Sequence, residues 1–108
     1  MKTKTLVLSI IKDDLINTKL VYSLNELGLQ ADHYCLHASI TVLKLLRIKA
    51  TPQRWEKIYT DYLDMTRKVL QISIEEFPRQ VDALALEIFD FLKQCKAEQK
   101  ALAAQRGT

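Results

Sequence analysis

The chain has 108 residues, 48% of them hydrophobic, and carries 16 Lys plus Arg against 13 Asp plus Glu for a net charge of +3. That length buries one core and is too short for two, so residues 1–108 are expected to form one domain. Only two glycines and two prolines occur, which excludes glycine-rich phosphate loops, the dinucleotide fingerprint and the G-x-S-x-G nucleophile turn, and disfavours all-β folds.

Residues 1–12 admit two readings. Thr3, Thr5, Val7, Ser9 and Ile11 alternate with Lys4, Leu6, Leu8 and Ile10, and β-branched residues favour a strand. A lone strand needs a partner, and the only other run of similar character is Leu70–Ile74, so a short first helix competes. The apolar run Leu6–Ile11 ends at Lys12-Asp13-Asp14 with no small-residue cleavage site, which argues against a secretory leader. No stretch reaches the roughly 20 apolar residues that span a bilayer.

Asp13 or Asp14 can cap a helix over 14–27, with Ile16, Leu20, Leu24 and Leu27 on one face. Gly28 then suits a left-handed C-terminal position. Asp32 is the next cap, before a helix over 33–48. Leu36, Ile40, Leu43 and Leu46 share one face, while Cys35, Ala38, Val42 and Leu45 add apolar groups beside it. Such a wide apolar surface implies several neighbours or a second copy of the chain. Thr51-Pro52 opens the third helix. Trp55, Ile58, Tyr59, Tyr62, Leu63, Thr66, Val69 and Leu70 follow at helical spacing, with the aromatic residues as anchors. Ser73-x-x-Glu76 matches a capping box, and Pro78 demands a bend or a fresh start. Val81, Leu84, Ile88, Phe91, Leu92 and Cys95 form the inward face of the last helix. Residues 97–108 read as a projecting, fraying helical tail. The architecture expected is all-α: an antiparallel bundle of three long helices plus an N-terminal helical or extended arm.

Three clusters could carry chemistry. His33 and His37 stand four apart, with Asp32, Cys35 and Cys95 as further ligand types. A tetrahedral metal site needs three or four convergent ligands, and the Glu of H-E-x-x-H is replaced by Tyr34, so no metal and no cofactor is expected. The carboxylate pairs at Asp13–Asp14, Asp61–Asp64, Glu75–Glu76 and Glu87–Asp90 read as ordinary solvated or capping groups. Residues 44–57 carry Lys44, Arg47, Lys49, Arg54 and Lys57 against Glu56, a local +4 across a helix–turn–helix junction. Residues 75–90 carry Glu75, Glu76, Asp82, Glu87 and Asp90 against Arg79, a local −4. The two blocks could face each other within one bundle or orient a dimer.

The leading functional expectation is a non-enzymatic interaction or structural module, self-associating as a homodimer, cytoplasmic and free of membrane. Two cysteines 60 positions apart suit a reducing compartment. The alternative is a small nucleic-acid-binding regulator using Lys44, Arg47, Lys49, Gln53, Arg54 and Lys57. A metal or thiol enzyme around His33, Cys35 and His37 ranks third.

Overall fold

The computed structural model describes the backbone of residues 3–24 and 28–106 and the side chains of residues 3–20 and 35–102. Four α-helices follow in order: α1 (Thr3–Leu24), α2 (Gly28–Leu45), α3 (Pro52–Thr66) and α4 (Phe77–Arg106), with a 3₁₀ segment at Arg67–Gln71 after α3. The described residues contain no strand, so the fold is all-α.

The helical alternative for the N-terminal arm is the one realised, and arm and first helix are continuous. Val7, Ile11, Leu15 and Thr18 fall at spacings of four, four and three, and none is more than 2% exposed. This stripe corrects the expected inward face. Ile16 is half-buried and Leu20 is 54% exposed, because each lies about 100° round the helix from a buried neighbour. Leu24 and Leu27 lie outside the described side chains. Asp14 is no cap either, since α1 begins eleven residues before it.

Gly28 opens α2 rather than closing the helix before it. Asp32 lies within α2 rather than before it. The left-handed residue is Arg47, at φ 58°. Its N–H donates to Lys44 O at 3.1 Å, and that of Ile48 donates to Leu43 O at 2.9 Å. These two bonds satisfy carbonyls that the end of α2 would otherwise leave open.

Thr51 caps α3 as expected, its Oγ1 accepting from Arg54 N at 3.2 Å, with Pro52 in the first turn. The helix expected through Leu70 tightens into 3₁₀ after Thr66. There Thr66 Oγ1 donates back to Leu63 O. The Lys19 ammonium donates to Val69 O at 3.0 Å and also to Ile72 O, so these carbonyls are satisfied outside an α-helix. Glu76 N donates to Ser73 Oγ, and α4 starts at Phe77 with Pro78 in its first turn.

Contacts fix the directions. Lys4 lies over Phe89 while Lys12 pairs with Asp82, so α1 and α4 run antiparallel. The Cys35–Thr66 contact, with only residues 46–51 between the helices, makes α2 and α3 antiparallel. One hydrophobic cluster draws on all four helices, from Val7 and Ile11 through Val42 and Ile58 to Ile88 and Leu92. At 1.5 Å per residue the 30 residues of α4 span about 45 Å, close to the molecule's longest extent of 52 Å.

The wide apolar surface of α2 is absorbed inside this bundle. Cys35, Ala38, Val42, Leu43 and Leu46 are buried. None of the strongly exposed large apolar residues among the described side chains belongs to α2. The chain's own helices supply the neighbours that its sequence demanded.

Candidate functional site

The titratable chemistry of the fold sits in its interior. Asp14, on the buried stripe of α1, is inaccessible to solvent. Its Oδ2 accepts from the Tyr62 hydroxyl of α3 at 2.7 Å. Cys35 of α2 and Thr18 also face the carboxyl, but too loosely to satisfy it: Oδ1 and Thr18 Oγ1 are buried without a hydrogen-bond partner. Cys35 Sγ lies 3.7 Å from Thr66 Oγ1. Burial pushes the Asp14 pKa up to about 6, because desolvation disfavours the anion. The Tyr62 bond opposes that shift, and Cys35 and Thr18 oppose it less.

Sequence reading missed this carboxylate by treating Asp13 and Asp14 as a capping pair. A signal was present: Asp14 lies three residues after Ile11 and four before Thr18, on the stripe set by Val7. Its neighbour Asp13 is exposed. The other acidic residues behave as surface groups. Asp61 pairs with Lys57 at 2.8 Å, Glu76 with Arg79 at 3.2 Å and Asp82 with Lys12 at 2.9 Å. The expected mutual facing of the basic and acidic blocks is absent among the described contacts. The acidic block takes its partners from Lys12 and Arg79, and the basic block takes its own from Asp61 and Glu98.

The candidate ligands diverge. His37 is exposed on α2, whereas Cys35 is 1% exposed and turned into the core. Cys95 lines a different place, a cleft of about 270 Å³ between α3 and α4 that also involves Ile58 and Phe91. There burial pushes its thiol pKa up, which disfavours the nucleophilic thiolate. The side chains of Asp32 and His33 lie outside the described residues. Among the described residues no three His, Cys, Asp or Glu side chains gather as metal ligands would.

The basic junction is divided by its contacts. Arg54 pairs with Glu98 at 2.6 Å, and Lys57 with Asp61. Lys44, Arg47, Lys49 and Gln53 are exposed. The backbone N–H of Lys49 donates to Gln99 Oε1 at 3.0 Å. The α4 tail, expected to project freely, is therefore tied at Glu98 and Gln99 to the connection between α2 and α3.

The opposite end, around 67–76, is of another kind. Ile74 is 72% exposed, Leu70 40% and Leu20 54%. A groove of about 700 Å³ between the 68–72 segment and α4 is lined by Ile72, Ala83 and Leu84, with Lys68, Arg79 and Glu87 also on its walls. Comparison of the chain with protein families, with curated proteins and with solved structures gives no match. No helix of the described residues is long and apolar enough to cross a membrane.

Proposed function

We propose that the chain is a non-enzymatic helical interaction module that self-associates through its 67–76 end. The observation that carries this reading is Ile74, an isoleucine 72% exposed on the turn before α4. Leu70 precedes it, and Leu20 is held at the same end by the bonds from Lys19 to Val69 and Ile72. Apolar groups gathered on a surface are a feature of interaction sites. The groove at this end carries Lys68 and Arg79 together with Glu87. A two-fold-related copy presents the same set, so Glu87 of each copy can meet Lys68 or Arg79 of the other. The sealed position of Asp14 and Cys35 supports a structural role for both. A reducing, cytoplasmic setting belongs to the same reading, since both cysteines are buried and outside any disulfide.

Sedimentation at micromolar concentration tests it. The wild type should show twice the monomer mass, with an interface of at least about 1,000 Å² in total. Ile74→Lys should return it to monomer with its helicity intact. A strictly monomeric wild type across that range, or a dimer indifferent to Ile74→Lys, would overturn the proposal.

A further inference from the structure

The geometry points to a second surface, at the opposite end of the bundle, that docks on the phosphate backbone of nucleic acid without reading its bases. Two segments meet there, and a third lies nearby. Lys49 N bonds to Gln99, and Arg54 pairs with Glu98, so the second half of α4 lies against the α2–α3 connection and the first turn of α3. Lys4 and Lys93 both approach the Phe89 ring, at 5.4 and 5.9 Å from its centroid, which places the first turn of α1 beside the middle of α4, about 15 Å along the helix from Gln99.

Their net charge is strongly positive. Lys4 together with segments 44–61 and 90–100 carries nine basic and four acidic residues, a net +5. The whole chain carries +3, so everything else sums to −2. Two of the four acids, Asp61 and Glu98, are already engaged by Lys57 and Arg54. Lys44, Arg47, Lys49, Lys96 and Lys100 have no carboxylate at ion-pairing distance among the described residues.

Like charges spaced within a Debye length of about 10 Å repel one another. A polyanion relieves that repulsion and releases its own condensed counterions on binding. The charges are spread across an end whose cross-section is about 28 × 23 Å. A single small anion would meet only one or two of them. A duplex, with one charge per roughly 1.7 Å of axis, can meet several at once.

The same contacts argue against base readout. Gln53, Arg54 and Lys57 occupy the first turns of α3, where a recognition helix would place its reading residues. Arg54 is half-buried and held by Glu98, and Lys57 is held by Asp61. The inner side of α3 is packed into the bundle through Ile58, Tyr62 and Thr66. What remains for a ligand is the outer ring of Lys44, Arg47, Lys49, Lys96 and Lys100, suited to phosphate contact.

Fluorescence polarisation with a labelled 20-base-pair duplex of mixed sequence tests the inference on the full chain. Three to five phosphate contacts predict a log–log salt slope of about −2.7 to −4.5. Two duplexes of unrelated sequence should bind within about twofold of each other. Arg47→Glu with Lys49→Glu should weaken binding at least tenfold and flatten the slope by about 1.8. Lys96→Glu with Lys100→Glu should do the same from α4, and serves if the first pair fails to fold. Lys12→Glu, on the Asp82 side of α1 and outside both proposed surfaces, should leave binding unchanged. The inference is overturned by an absent salt slope, by equal loss with Lys12→Glu, or by a sequence-selective complex that Arg54→Ala abolishes. Binding to phosphatidylserine-containing vesicles but not to duplex would overturn it equally. Ile74→Lys separates the two proposals, because a monomer that still binds duplex leaves this surface standing alone.

Discussion

The polar groups between α1, α2 and α3 and those of the basic end are built on opposite terms. Inside, Asp14 receives the Tyr62 hydroxyl at 2.7 Å, and Lys19 spends its ammonium on the carbonyls of Val69 and Ile72. Both groups find partners on another element, yet Asp14 Oδ1 stays unpaired, and that incomplete match is why burial raises its pKa. At the basic end, Lys44, Arg47 and Lys49 stand in solvent, where isolated charge costs little and pairing contributes little. The difference separates structure from availability. Removing an interior partner should alter folding and leave any ligand indifferent, whereas altering the outer ring should change binding and barely touch stability.

The largest effect expected comes from Asp14. Its folded pKa is raised from 3.8 to about 6, so the fold favours the protonated form. That contribution is fully present below the unfolded value and is lost as the pH rises through about 6. From the shift, its full size is about 3 kcal/mol. Chemical denaturation of the wild type relative to Asp14→Asn should therefore show a gap that changes between pH 4 and 7. The amide keeps an acceptor for Tyr62 and cannot titrate. Tyr62→Phe removes the bond that favours the anion and should move the transition to higher pH. Parallel stability curves for wild type and Asp14→Asn would break the interior half of the comparison.

A second interior change, Lys19→Met, keeps most of the aliphatic stem and deletes the ammonium. Ile72 O then loses this donor while Val69 O keeps only the Ile72 N–H at 3.2 Å, and the expected loss is about 1–2 kcal/mol. Local hydrogen exchange should speed up first in the 3₁₀ segment. Lys49→Met at the basic end is the matched control. Its side chain is exposed and its structural bond uses the backbone N–H, so its midpoint should move by no more than about 0.5 kcal/mol.

Much of this fold is legible in the sequence, and the failures have specific causes. Thr51-Pro52 marks a helix start because capping is local chemistry, settled within four residues, while Ser73-x-x-Glu76 makes only a turn and the helix begins afresh at Phe77 beside Pro78. The phase of α1 was not legible from Ile16 and Leu20, since alternating β-branched residues over 3–11 mask a helical stripe. Only burial against three neighbours selects Val7, Ile11, Leu15 and Thr18. Asp14 was hidden for the same reason: its role depends on Tyr62, 48 residues away. The basic block was visible as composition. Lys57 pairs with Asp61 four residues on, a local contact, whereas the engagement of Arg54 depends on Glu98, 44 residues along the chain.

The smallest effect sharpens the comparison most, because it sets stability against binding at one residue. Arg47 occupies the left-handed region at φ 58°, where a side chain crowds the backbone by about 1–2 kcal/mol. Glycine removes that crowding but gives the unfolded chain more freedom, about 0.5–1 kcal/mol in the other direction. Arg47→Gly should therefore stabilise the protein by roughly 0.5 kcal/mol, read as a rise in the denaturation midpoint. The bonds from residues 47 and 48 to Lys44 and Leu43 use the backbone alone, so the end of α2 is kept. The same exchange deletes one cation of the outer ring and should flatten the duplex salt slope by about 0.9. A gain in stability with weaker binding is the pattern expected where the chain keeps a charge at a position whose backbone favours glycine. Lower stability with unchanged binding would mean that Arg47 serves the fold through its side chain, and the division between interior and basic end would fail at that residue.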